Sequence, residues 1–252
     1  MAVMDEFREE REALKHGTPK QKLQYFWCYY KWHTIIAVLA VIFLVSFIHE
    51  VVTRKDTAFY GIFLNSWAKE DTVADFESGF MEKAGIDPDA YEINLDTSLY
   101  ITDDAMDENS YASIQKMTVY VASGEIDVLV SDASSINRYA YNETLGDLRD
   151  FLTEEQLQKY EPYFFYVDGA VVKEQQEASD NLDTEYTPVY PDPSKPEEME
   201  DPIPVGLFVG NCKTLTDAYS FRSKDVVAGI VINTNRKQAA LDFIDYLFSE
   251  NP

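Results

Sequence analysis

Ser113-Ile-Gln-Lys116 is the spacing in this 252-residue chain closest to a working nucleophile. On a helix, residues three apart share a face, so the lysine amine stands within reach of the serine hydroxyl whose proton it would take. Such a scheme needs two further signals, Ser-Asp-Asn and Lys-Thr-Gly. Here Ser131-Asp132 is followed by Ala133, and Lys213-Thr214 by Leu215, so each lacks its last residue. The pattern Ser-x-x-Lys alone recurs by chance about once in a chain of this size. The three histidines, His16, His33 and His49, all lie in the first 50 residues. That excludes Ser-His-Asp and Cys-His schemes and His-based zinc sites from the rest of the chain. Cys28 and Cys212 flank a long apolar run and are not expected to pair. Asp180, Asp183 and Glu185 offer oxygen ligands of the kind calcium takes, without the turn glycine of an EF-hand loop. No phosphate-cradling glycine motif occurs. The expectation is a protein with no catalytic residues, no metal and no cofactor.

Binding is the other chemistry open to these residues. In open parallel sheets, ligands lie beyond the carboxyl ends of the strands. That rule selects Asn65, Ser66 and Trp67 after the first strand, Ser131, Asp132 and Ser134 after the third, and Asn211 after the fourth. Trp67 offers a flat face for stacking. The plainer alternative is that these are helix caps and a surface aromatic.

The elements that must position them alternate. Thr57–Asn65 reads as a buried strand. A helix opens at Asp71 with Val73, Phe76, Phe80 and Ala84 on one face, and Gly85 closes it. Tyr91–Leu99 alternates as a strand, a helix runs from about Asn109 to Ser123, and 126–131 is a short strand. Ser134–Tyr141 and the stretch from Thr153 to about Tyr160 read as helices, the second capped by Thr153 with Glu155 and Gln156 in its first turn. Tyr163–Lys173 reads as a hairpin turning at Asp168-Gly169. Residues 174–202, acidic and proline-rich, read as an exposed mobile loop. Two strands follow, at 203–210 and 225–233. The last helix carries Ala239, Ala240, Phe243, Ile244, Leu247 and Phe248 in one stripe. The implied fold class is α/β, a mostly parallel sheet with flanking helices.

All of this follows one apolar stretch. Thr34–Ile48 holds no charge, and extended over 32–52 it reaches the roughly 20 residues a helix needs to cross a bilayer. Tyr25 to Trp32 supplies an aromatic belt, and Lys15, Lys20, Lys22 and Lys31 outnumber Arg54 and Lys55 across the run. The positive-inside rule then places 1–31 in the cytoplasm and 53–252 outside it. The core is long for a signal peptide and no small-x-small site follows, so it reads as an uncleaved signal anchor. Met4–Lys15 reads as a charged cytoplasmic helix, and Cys28 as a small apolar residue, with S-acylation the alternative. The net charge of −24 falls entirely on the outer part: the first 52 residues carry six charges of each sign, leaving 15 basic and 39 acidic beyond them. So acidic a domain repels nucleic acid.

Two stretches resemble the extracellular solute-binding proteins of bacterial importers, which have the two-lobed periplasmic-binding-protein fold. One is Ser123-Gly-Glu-Ile-Asp-Val-Leu-Val-Ser-Asp132 with Leu145-Gly-Asp-Leu148 after it. The other is Val226–Ser249, a strand, a short Asn/Arg turn and an Ala-Leu-x-Phe-Ile-x-Tyr-Leu helix. The layout, with its Tyr-Tyr-Lys-Trp-His run into the apolar stretch, also looks like uncharacterised single-span membrane proteins of gut Firmicutes. The resemblance implies a reduced, membrane-anchored binding domain for a small molecule or a partner protein, with 134–203 the only source of a small second lobe. A structural or assembly subunit without a ligand is the rival. The Ser113/Lys116 order is similar to that of penicillin-binding enzymes, and a hydrolase of that type ranks third.

Overall fold

The computed structural model describes residues 17–102, 108–182 and 185–249. The helix expected at Met4–Lys15 and the acid at Asp183 lie outside the described residues. The chain divides into two compact units, Met1–Arg54 and Lys55–Pro252.

The first unit contains α1 (Pro19–Thr53), an unbroken 35-residue helix. Proline suits the first helical position because its fixed φ is already helical and its missing N–H is one the helix cannot bond. Lys22 N donates to Thr18 O at 3.1 Å, closing the first turn. The stretch Tyr30–Thr53, 24 residues, is long and apolar enough to cross a membrane, and none of it is buried within the protein. At 1.5 Å per residue it spans ~36 Å. Trp27, Tyr30 and Trp32 are exposed near its start, and Ile36, Val38, Val41 and Phe43, which point to different sides of the helix, are all exposed. A helix apolar all round is stable only when buried in protein or lipid.

The second unit carries β1 (Asp56–Phe63), β2 (Ser66–Ala68), α2 (Val73–Ala84), β3 (Tyr91–Asp96), α3 (Glu108–Ser123), β4 (Val128–Asp132), α4 (Ala133–Tyr141) and α5 (Glu154–Tyr160). It continues with β5 (Phe164–Asp168), α6 (Gly169–Asp180), β6 (Pro202–Phe208), α7 (Lys213–Ala218), β7 (Tyr219–Phe221), β8 (Val226–Ile230) and α8 (Lys237–Leu247). Six strands form one sheet in the order β3-β1-β4-β8-β6-β5, and β2 and β7 form an antiparallel ribbon. The unit is α/β, as its alternating pattern requires, but the sheet is mixed. β1 runs parallel to β3 and β4, whereas β8 is antiparallel to β4 and β6, and β5 is antiparallel to β6. The mostly parallel arrangement expected from the sequence therefore holds for one half. Residues 134–203 contribute α4, α5, β5 and α6, and β5 is an edge strand of this same sheet.

Both faces of the sheet are covered, which is why its strands read as nearly continuous apolar runs. In β1, Phe59 and Phe63 point to one face, where Phe59 meets Phe80 of α2 at 4.9 Å and Phe243 of α8 at 4.7 Å between ring centroids. Tyr60 and Ile62 point to the other, with Met117 of α3, Ile136 of α4 and Val167 and Val205 of the far strands. Burying each such side chain contributes about 1.5–3 kcal/mol. Gly85 and Gly124, at φ 65° and 68°, close α2 and α3 in the left-handed region where glycine carries no Cβ penalty.

The hairpin expected at Tyr163–Lys173 is instead a strand running into a helix. Asp168 caps α6, its carboxylate accepting from Ala170 N at 3.0 Å, and the Asp-Gly pair that reads as a turn is a helix start. The loop expected over 174–202 is accordingly in part helix. Beyond it, the strap 185–201 is fastened: Tyr166 N donates to Pro193 O at 2.9 Å, the Tyr190 ring lies 4.2 Å from that of Tyr141, and Asp168 accepts from Glu200 N and Asp201 N at 2.9 and 3.0 Å. Burial pushes the Asp168 carboxyl up, but these backbone N–H groups hold it below its ordinary value.

Candidate functional site

The carboxyl ends of β1 and β4 gather most of the residues selected from the sequence. Asn65 leaves β1 with φ 56°, a left-handed conformation that asparagine tolerates better than most residues. Its buried amide clasps the chain 36 residues on: Oδ1 accepts from Ile101 N at 2.8 Å, and Nδ2 donates to Ile101 O and Ser135 Oγ, both at 3.0 Å. Ser66 Oγ donates to Phe63 O at 2.7 Å, and Ser131 Oγ to Leu64 O at 3.1 Å. Asp132 caps α4, accepting from Ser134 Oγ at 2.5 Å, Ser135 N at 3.1 Å and Ser135 Oγ at 3.0 Å. Asn65, Asp132 and Ser134 thus join one network through Ser135, and Ser131 bonds the backbone beside it, all within the protein. These groups form the floor of this end of the sheet. Asn211 is exposed after β6 and makes no contact with that network among those given above.

Trp67 differs from its neighbours. It is 52% exposed, on the β2–β7 ribbon, where it pairs with Ser220 while Ser66 pairs with Phe221. That register brings Arg222 off the ribbon within two pair positions of Trp67. The Arg222 guanidinium lies 4.4 Å from the centroid of the Tyr100 ring, which is 37% exposed. Tyr100 is held there because it precedes Ile101, which Asn65 grips, and because its N–H donates to Ser113 Oγ at 3.2 Å. Tyr100 and Arg222 were not selected from the sequence. Tyr100 follows the strand expected at Tyr91–Leu99, and Arg222 follows β7, a strand not expected from the sequence; the signal available was their type, an aromatic and an arginine among acids.

The Ser-x-x-Lys pair is brought into a different arrangement. Ser113 Oγ accepts from Tyr100 N, and the Lys116 ammonium bonds Asp96 Oδ2 at 2.8 Å and Ser98 Oγ at 3.1 Å. Burial pushes the Asp96 carboxyl up, but Lys116 and Ser98 more than offset this and hold it below its ordinary value. The Lys116 amine so engaged holds the end of β3. Lys213 and Thr214 open α7. Among the described residues no three His, Cys, Asp or Glu side chains are grouped as metal ligands.

The two stretches that carry the resemblance interlock. Asp127, fully buried, accepts from Tyr60 N at 2.7 Å, Thr234 Oγ1 at 2.5 Å and Arg236 Nε at 2.9 Å. Val231 N donates to Asp127 O at 2.9 Å, and Arg236 also bonds Glu125 O. The acidic turn before β4 and the Asn/Arg turn after β8 form a clasp that holds the sheet centre. Its residues bond one another and tie the two turns together.

Comparison with protein-family models, with curated proteins and with solved structures finds no match to this chain.

Proposed function

We propose that this chain is a single-span membrane protein whose acidic α/β domain lies outside the cytoplasm and recognises a protein partner through Trp67, Tyr100 and Arg222. The helix Tyr30–Thr53 supports the anchor, and the lysine excess before it supports the orientation. The observation that carries the recognition reading is the contrast at the sheet end. Buried polar groups there bond one another, while a tryptophan, a tyrosine and an arginine stand exposed above them. Those three residue types are the ones that dominate binding energy at protein interfaces, and a floor whose hydrogen bonds are already made lowers the cost of docking. A small-molecule cleft is the second reading, supported by the resemblance to solute-binding proteins and by the stacking face of Trp67.

The test is chemical crosslinking of the full-length protein in its native membranes, then binding of the captured partner, purified, to wild-type and variant protein. Trp67→Ala or Arg222→Ala should weaken that complex by about 30-fold, the effect of losing a 2 kcal/mol contact. A partner held equally well by both variants sinks this assignment. In parallel, a sugar or amino acid at 100 times its dissociation constant stabilises a folded protein by about 2.7 kcal/mol. A melting shift of that size that disappears in Trp67→Ala selects the small-molecule reading instead.

A further inference from the structure

A second surface lies apart from Trp67, where the chain leaves α4 and β8. Leu145 bridges to Val231, and the adjoining side chains enclose a recess of about 240 Å³. Its floor is apolar, made by the buried Leu145, Val167 and Val205, and the half-exposed Ile232 forms one wall. Phe151 forms another, and it reaches that position only because residue 146 is glycine: a Cβ there would collide with the ring. The rim is charged. Glu143, Asp147 and Asp150 stand against a single lysine, Lys237, whose ammonium lies 4.7 Å from the centroid of the Phe151 ring. Asp147 is already paired with Arg149, which also interacts electrostatically with Asp150; Glu143 and Asp150 are exposed, and Glu143 accepts a hydrogen bond from Gln176.

Size and charge together select an occupant. Clefts for drug-sized ligands run to about 300–1,000 Å³, so this recess suits one bulky apolar side chain. A carboxylate rim on a strongly acidic domain favours cations beside that side chain and repels anionic chains. Lys237 already shows the ring accepting an ammonium group at its face. We infer that this recess docks a basic segment of a partner protein, one aromatic or branched aliphatic side chain seated against Ile232 and Phe151 with a neighbouring lysine or arginine on Glu143 and Asp150. The site does not depend on the Trp67 surface and survives or fails separately from it.

The test uses the full chain in phosphatidylcholine nanodiscs and three fluorescent acetylated peptide amides, Lys-Phe-Lys, Glu-Phe-Glu and Lys-Gly-Lys, read by anisotropy. Lys-Phe-Lys should saturate with a dissociation constant of about 1 mM or tighter, and the other two should bind at least about tenfold more weakly. Ile232→Lys places a cation in the wall and should weaken Lys-Phe-Lys by about tenfold, and Glu143→Gln with Asp150→Asn by about fivefold. Val119→Lys, an exposed site on α3, adds the same charge elsewhere and should change binding by less than about twofold. Unaltered melting of each variant shows that it is folded. Equal binding of Lys-Phe-Lys and Lys-Gly-Lys would reduce the effect to net charge, and equal weakening by Ile232→Lys and Val119→Lys would do the same. Either result, or no saturable binding, overturns the inference.

Discussion

Removing the Asp127 carboxylate should damage the α/β domain more than any other single polar substitution. Asp127→Ala takes three hydrogen bonds from a fully buried site: one from a backbone N–H, one from a hydroxyl and one from a guanidinium. The remaining groups cannot all reach water, because Thr234 is itself buried and only about a quarter of the Arg236 side chain is exposed, 27%. Breaking a buried ion pair by removing one partner costs about 3–5 kcal/mol, chiefly for the charge left behind. For a unit of this size 1 kcal/mol moves the melting temperature by about 2–4 °C, so the expected fall is roughly 6–20 °C. The assay is a thermal melt of the full-length protein followed by near-UV circular dichroism, which reports the packed aromatic core of Phe59, Phe80 and Phe243. Glu92→Ala, an exposed acid on β3, serves as the comparison and should shift the melt by less than about 2 °C. If Asp127→Ala melts within about 2 °C of wild type, the clasp does not hold the sheet and the energetic reasoning is wrong.

Three further outcomes follow from the same interactions. The Tyr219 hydroxyl is buried with no hydrogen-bond partner among the described residues, whereas that of Tyr160 bonds Asp245, so Tyr219→Phe should be neutral or stabilising and Tyr160→Phe should cost about 1–2 kcal/mol, compared by thermal melts. Asp168 is held below the ordinary carboxylate value of 3.8, so its stabilisation is complete above that pH and disappears as the pH falls through its lower folded value. Asp168→Ala should therefore lose about 2–3 kcal/mol at pH 7 and show a shallower acid loss between about pH 5 and 2, and equal slopes in the two proteins would count against the strap being tied there. Fluorescent penicillin should leave the protein unlabelled, since Lys116 is spent on Asp96; labelling that vanishes in Ser113→Ala would restore the hydrolase reading.

Local order was legible where local rules govern it. The buried apolar run of β1, the apolar stripe of α8 and the glycines after α2 and α3 all read directly, and the capping box of Thr153 and Gln156 forms as spaced. Strand direction was not legible, because β8 pairs with β4 from almost a hundred residues away and nothing in its own residues records which way it runs. Asp168-Gly169 misled for a related reason. The pair suits a turn, and only the backbone of Glu200 and Asp201 reveals Asp168 as a cap and anchor. The candidate site was legible as a place more than as chemistry. The strand-end rule led to Asn65, Ser131 and Asp132, yet their partners, Ile101 and Ser135, decide that these groups build a floor. Arg222 on Tyr100 joins residues 122 apart in sequence, which no local spacing encodes.

The orientation of the domain decides between an outward recognition module and a cytoplasmic one. The most direct measurement places a cysteine at Val189, which is 82% exposed, in a Cys28→Ser background where the remaining Cys212 is buried. Cells are treated with a membrane-impermeant maleimide before and after permeabilisation. A domain outside the cytoplasm predicts full labelling in intact cells, with nothing gained on permeabilising them. Labelling that requires permeabilisation would put the acidic domain in the cytoplasm and contradict the proposed role.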